Sequence, residues 1–278
     1  MKNSPMTLTE IQTAAPSIFA NNPFPGVSNR YAFIPTANVV EAMMSEGWGV
    51  RQASQSFTRR DDHKGYQKHM IRFTRMSDLD KLAQIQNDGR HVVNYQNPLA
   101  EMVEVVLTNS HDGTSTYQLH AGIFRLVCSN GLVVADATFN AMRVRHTGDA
   151  NEIVGASYEI LEGAGNIMGA VDAMKQVELT PAEQSQFALG GAMARYGFNT
   201  LAECPVDFPR LLQTNRREDA SPTLWNTYNT VQENLMKGGQ YIRKTSNVRT
   251  KAIRAVDASI KVNKSLWEMA GALLAAKE

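Results

Sequence analysis

Cysteine is nearly absent: Cys128 and Cys204 are the only two in 278 residues. Two thiols cannot build a disulfide framework or a four-thiolate zinc site, and they suit a reduced cytoplasm. Long hydrophobic runs are also missing. No apolar stretch approaches the ~20 residues that cross a bilayer, so a membrane partner is not expected. The first twenty residues hold one lysine followed by polar residues without a continuous apolar core, which argues against a secretory signal and for a cytoplasmic location. Nucleotide fingerprints are lacking too. Gly163, Gly165 and Gly169 come without GKS or GKT and do not follow a strand pattern, so close helix packing accounts for them better.

What is present suffices for a core. Hydrophobic residues make up 43%, enough for one large domain or two modest ones at this length. The net charge of +1 hides a polarity along the chain. Residues 51–75 carry seven basic against two acidic residues, and residues 210–264 carry eleven against four, so the remainder is strongly acidic at −11. Between Tyr241 and Arg254 there are five basic residues and no acid, whereas a face made for solubility usually mixes signs.

The pattern predicts an α+β fold, with an antiparallel sheet over residues 50–146 and a helical half over 150–278. Residues 1–29, rich in proline and asparagine, read as an extended arm, and the single folded domain is expected over 30–278. Thr36 can cap a short helix that Gly47 stops. Residues 50–57 and 69–75 alternate as half-buried strands around a basic, exposed hairpin loop. Three antiparallel strands are expected between 102 and 135, with Asp112-Gly113 and Asn130-Gly131 at tight turns, and another at 142–146. Helices are expected over 153–177, from Thr180-Pro181-Glu183 to Gly197, and from Ser221-Pro222 onward. From 241 to 276 the spacing places Ile253, Val256, Ile260, Trp267 and Leu274 on one face, with Arg243, Lys244, Lys251, Arg254 and Lys261 nearly opposite. Arg249 falls on the apolar side, against one unbroken helix.

Basic residues about one turn apart can follow a polyanionic backbone and release its counterions; the alternative is a solvated helix face. The 51–75 loop adds Arg59, Arg60, Lys64 and Lys68 with Tyr66, an aromatic able to stack on a base, against the alternative of a decorated flexible hairpin. No metal is expected at His111, Asp112, His120 and Cys128, which lack a repeated ligand spacing. His111 and Asp112 fit a turn, and Cys128 a buried small residue. Glu101 with Glu104, or Glu159 with Glu162, could hold Mg²⁺ in a nuclease, a third-ranked reading. No cofactor is expected.

Several stretches resemble a family of plasmid- and phage-borne proteins known as domain of unknown function 932, together with the YubM-type proteins. They are residues 30–36 (RYAFIPT), 109–113 (NSHDG), 124–132 (FRLVCSNGL), 143–148 (RVRHTG) and 226–239 (NTYNTVQENLMKGG). The resemblance carries no catalytic residue; it implies a mobile-element setting, where single-strand annealing proteins, recombination accessories and antagonists of host defence occur. The expected function is therefore DNA binding, with single strands favoured and annealing in recombination as its use, and a homo-oligomer is a further expectation. The alternative is an interaction module that blocks a host protein with its acidic surface.

Overall fold

The computed structural model describes residues 4–28, 31, 33–77, 101–125, 132–134, 142–144, 150–243, 245 and 247–277. The contacts divide the chain into two compact units, Met1–Val133 with Ala137–Ala164 and Val134–Asp136 with Gly165–Glu278. The predicted α+β class holds: an antiparallel sheet in the N-terminal half, and helices in the C-terminal half.

The first unit begins earlier than the proline content suggested. Thr7 and Glu10 form a reciprocal cap that starts helix α1 (Leu8–Ala14). Ile11 and Ile18 are fully buried, and the Met6 amide donates to the Val50 carbonyl at 2.7 Å. The expected extended arm is therefore partly helical and packed down. Helix α2 (Thr36–Ser45) buries Val39, Val40 and Met43 while Met44 is exposed, and Gly47 turns the chain at φ +82°. Thr36 is the first helical residue and makes no cap, a correction taken up below.

Strands β1 (Trp48–Gln55), β2 (His69–Arg75), β3 (Glu101–Asn109) and β4 (Tyr117–Arg125) pair antiparallel in chain order. Short strands β5 (Leu132–Val134) and β6 (Met142–Val144) follow, β6 pairing with β4 at Tyr117↔Val144. The register aligns Val50, Phe73, Val105 and Ala121, and likewise Ala53, Ile71, Leu107 and Leu119, on one face, because side chains alternate along a strand. All are buried, and α2 and helix α3 (Ala150–Glu162) pack in this unit against the sheet. Arg75 lies over the rings of Trp48 and Tyr158, at 5.8 and 5.1 Å from their centroids.

The second unit contains α4 (Ala164–Gln176), α5 (Pro181–Tyr196), α6 (Leu224–Lys237) and α7 (Val256–Ala275). The helical stretch predicted over 153–177 is two helices, broken at Gly163. The predicted start of α5 is exact in kind: Thr180 and Glu183 form the reciprocal cap, Pro181 takes the first turn, and Gly197 ends the helix at φ +70°. For α6 the cap is Thr223, not Ser221, because the Thr223 hydroxyl accepts from the Asn226 amide. A side chain at Gly191 would stand 2.9 Å from Leu235 and 3.2 Å from Leu266, so glycine lets α5 approach α6 and α7 closely. Phe187, Trp225, Tyr228, Val231, Leu266 and Trp267 fill this core.

The single amphipathic helix suggested over 241–276 is not formed. Only α7 is helical, with Val256, Val262, Asn263, Leu266, Trp267 and Ala270 buried, and residues 238–255 take a different path. No helix among the described residues is long and apolar enough to cross a membrane.

Candidate nucleic-acid interface

In the second unit, α6 ends at Gly238, whose φ of +73° and ψ of −148° only glycine adopts readily. A Cβ there would lie 2.7 Å from the backbone of Thr250 and Lys251. That close approach closes a hairpin over residues 238–250. Gly239 donates to the Thr250 carbonyl, Thr250 to Gln240, and Ile242 to Val248, all at 2.8–2.9 Å. Gln240 locks its base: its amide donates to the carbonyls of Asn234 and Gly238, and its carbonyl accepts from the Thr250 hydroxyl. Arg243 donates its amide to the Pro205 carbonyl, which fixes the hairpin to the preceding loop.

This backbone explains why the helical spacing misled. Arg243, Lys251 and Arg254 lie on or just after a hairpin instead of along a helix, and Lys261 is on α7. Lys244 lies outside the described residues. Tyr241 is 37% exposed, and its ring is flanked by the guanidinium groups of Arg249 at 4.4 Å and Arg210 at 5.7 Å. Such a geometry favours the cations electrostatically. Asp207 is shared between Arg210, at 3.1 Å, and Arg243, at 3.9 Å. Lys251, Arg254 and Lys261 are exposed and have no carboxylate partner among the described residues. Positive charge therefore reaches solvent here largely uncompensated.

In the first unit, the predicted hairpin between β1 and β2 is present, but its charges are partly cancelled. Arg60 grips Asp62 through two hydrogen bonds, and this contact holds the Asp62 carboxyl below its usual range. Lys64 meets Asp61 at 2.5 Å. Arg59 is exposed without a described carboxylate partner, and Lys68 is half-buried. Tyr66, the aromatic singled out in the sequence, is half-buried and packs edge-on against Phe24 at 5.6 Å. Phe57 instead stands 82% exposed. Nothing in the alternating pattern marks it, since that pattern places residue 57 at the end of a strand. Arg72, counted among the basic residues of this stretch, does not face water: it is buried on the other sheet face, 2.8 Å from Glu104 and bonded to Gln52. Burial pushes the Glu104 carboxyl up while the Arg72 guanidinium opposes that shift. Glu104 is thus committed to an ion pair instead of open for Mg²⁺, and no group of three metal-binding side chains occurs among the described residues. Cys128 and the Asn130-Gly131 turn lie outside those residues.

Beneath this hairpin, two of the motif stretches meet in a buried polar cluster. The Thr36 hydroxyl lies 3.0 Å from His69 Nε2, 3.1 Å from His111 Nε2 and 3.1 Å from Asn109 Nδ2. His69 Nδ1 faces the Gln67 carbonyl at 3.1 Å; a carbonyl only accepts, so Nδ1 carries the proton of the neutral ring. Nε2 therefore accepts from Thr36, whose two lone pairs remain for Asn109 and His111. Burial pushes His69 down to about 4, which keeps it neutral. Tyr117 donates to the Ile34 carbonyl and Tyr31 to that of Ser110, tying residues 31–36 to residues 109–111. Asp112 serves its turn as expected, accepting from the Thr114 amide, and Gly113 takes φ +76°. His111 does not stay in the turn but enters the cluster. These residues are buried and tie the strands to α2.

A family profile described as "Domain of unknown function (DUF932)" matches residues 23–267. The chain belongs to this family. Two Escherichia coli K12 proteins, UPF0380 protein YafZ and UPF0380 protein YfjQ, are each 34% identical over 276 residues, covering 98% of this chain and 93% of theirs. No solved structure matches the chain at a significant level. The family stretches 30–36 and 109–113 thus correspond, where described, to the buried Thr36 cluster, whereas 226–239 spans most of α6 and its glycine stop.

Proposed function

We propose that this family member binds DNA through its phosphates, with single-stranded or locally opened DNA favoured. The observation that carries the reading is the hairpin of residues 238–250 and its flank. Arg243, Arg249, Lys251 and Arg254 occur there without an acidic residue in the segment, and among the described residues one outside carboxylate, Asp207, approaches them. Clustered cations of this kind gain by displacing the counterions condensed on a nucleic-acid backbone. The rigid base of the hairpin supports the reading, since cations fixed before binding lose less conformational freedom on contact. Annealing of strands in recombination, in a mobile-element setting, is the use we propose for such binding.

The test is a titration of fluorescently labelled single-stranded and duplex DNA with and without Mg²⁺. The triple variant Lys251→Glu, Arg254→Glu and Lys261→Glu is expected to abolish binding while leaving the melting temperature unchanged, because all three side chains are exposed. Unaltered affinity in that variant would overturn the reading. Cleaved product only in Mg²⁺ would point to a nuclease, and no binding even at low salt to a protein partner.

A further inference from the structure

Phe57 lies two residues beyond β1, after Ser56, whose amide donates to the Lys68 carbonyl at 2.8 Å and extends the ladder. The loop around it is ordered. Gly65 turns at φ +88°, its amide donates to the Gln67 side chain, and the His111 amide donates to the Tyr66 carbonyl. Phe24 supports the loop from within, its ring 4.3 Å from that of His63 and 5.6 Å from that of Tyr66. Two aromatic rings of the loop region are thus used for packing, and the third is left in water. Among the described residues the exposed large aromatics are Phe57, at 82%, and Tyr241, at 37%, and the latter is already flanked by two arginines.

We infer that Phe57 is a stacking platform for an unpaired nucleobase, an inference that rests on the DNA reading above and assigns the preference for single strands to this residue. A protein interface would want a contiguous apolar patch, yet the neighbours of Phe57 along the loop are Ser56, Thr58, Arg59 and Arg60. One isolated ring with an exposed, carboxylate-free Arg59 two residues on matches a base attached to a phosphate: the ring takes the π-face and the guanidinium the charge. A paired base offers no such face, because its neighbours in the duplex cover it.

The experiment compares oligothymidine with an abasic strand of equal length and charge. Wild type is expected to bind oligothymidine roughly tenfold more tightly, as one stacked base would give. Phe57→Ala should lose that preference and keep the affinity for the abasic strand. Phe57→Trp should restore the preference, and its added fluorescence should be quenched by oligothymidine against the three buried native tryptophans. Equal wild-type affinity for both strands, or a Phe57→Ala variant that still prefers oligothymidine, would overturn the stacking role and leave the phosphate reading intact. Failure of the wild type to bind either strand would overturn both.

Discussion

The hairpins of residues 56–68 and 238–250 look alike in sequence, each a basic stretch with at least one aromatic residue, but they dispose of their charge differently. In the first, Asp61 and Asp62 sit between the cations and pair with Lys64 and Arg60. In the second, no acid occurs between Tyr241 and Arg254, and among the described residues only Asp207 reaches in from outside. Their supports differ as well. The first rests on a buried network of neutral polar groups around Thr36, the second on a glycine that lets two backbones meet at Gly238. A count of lysines and arginines cannot distinguish these cases, since exposed pairs cancel charge at the surface with little gain in stability.

The comparison breaks most forcefully at Thr36. Thr36→Val leaves His69, His111 and Asn109 without the hydroxyl that joins them, at ~1–3 kcal/mol per buried polar group. We expect a loss of roughly 3–5 kcal/mol in urea unfolding of the first unit, with the second hairpin unaffected. Acid should act on the same cluster. The folded-state pKa of His69 is depressed from 6.5 to about 4 by burial, with the Gln67 carbonyl and Asp112 opposing that shift and Ser17, Thr36 and His111 facing the ring. The unfolded chain therefore binds the proton first, so stability is full above pH 6.5 and is lost as pH falls toward 4. The loss is roughly 3 kcal/mol, read from urea midpoints across that range.

At the second hairpin, Gly238→Ala forces a side chain into the Thr250 and Lys251 backbone and into a glycine-only conformation. A cost of about 1–3 kcal/mol is expected, together with weaker DNA binding from displaced cations. The finest comparison is between single neutralisations. Lys251→Gln should lower the salt dependence of DNA binding by about 0.7 in the logarithmic slope, and Arg60→Gln, already paired with Asp62, by clearly less. Equal effects would erase the distinction between the two hairpins.

How much was legible in the sequence follows the range of the interactions. The start and stop of α5 could be read because Thr180, Glu183 and Gly197 act within one turn of the chain. The β1–β2 hairpin could be read because alternation records which face is covered. Thr36 has the sequence position of a local cap, but its hydroxyl is used by residues 33 to 75 positions away, which no local pattern encodes. Arg72 adds to the basic count of its stretch, but its partner Glu104 lies on another strand. The helical period through 241–255 was coincidental: Gly238 and Gly239, both at positive φ, commit the chain to a hairpin before a helix could resume. Phe57 gave no signal at all, because exposure of a single ring is decided by what the fold leaves uncovered.

The central claim is that the largely uncompensated cations on the 238–250 hairpin and its flank meet phosphate. Its most direct measurement is the affinity of the full chain for labelled single-stranded DNA between about 50 and 200 mM salt. Arg243, Arg249, Lys251 and Arg254 together lead us to expect a straight logarithmic plot with a slope of about −2 to −3. A flat plot, or no binding at the lowest salt, would contradict it.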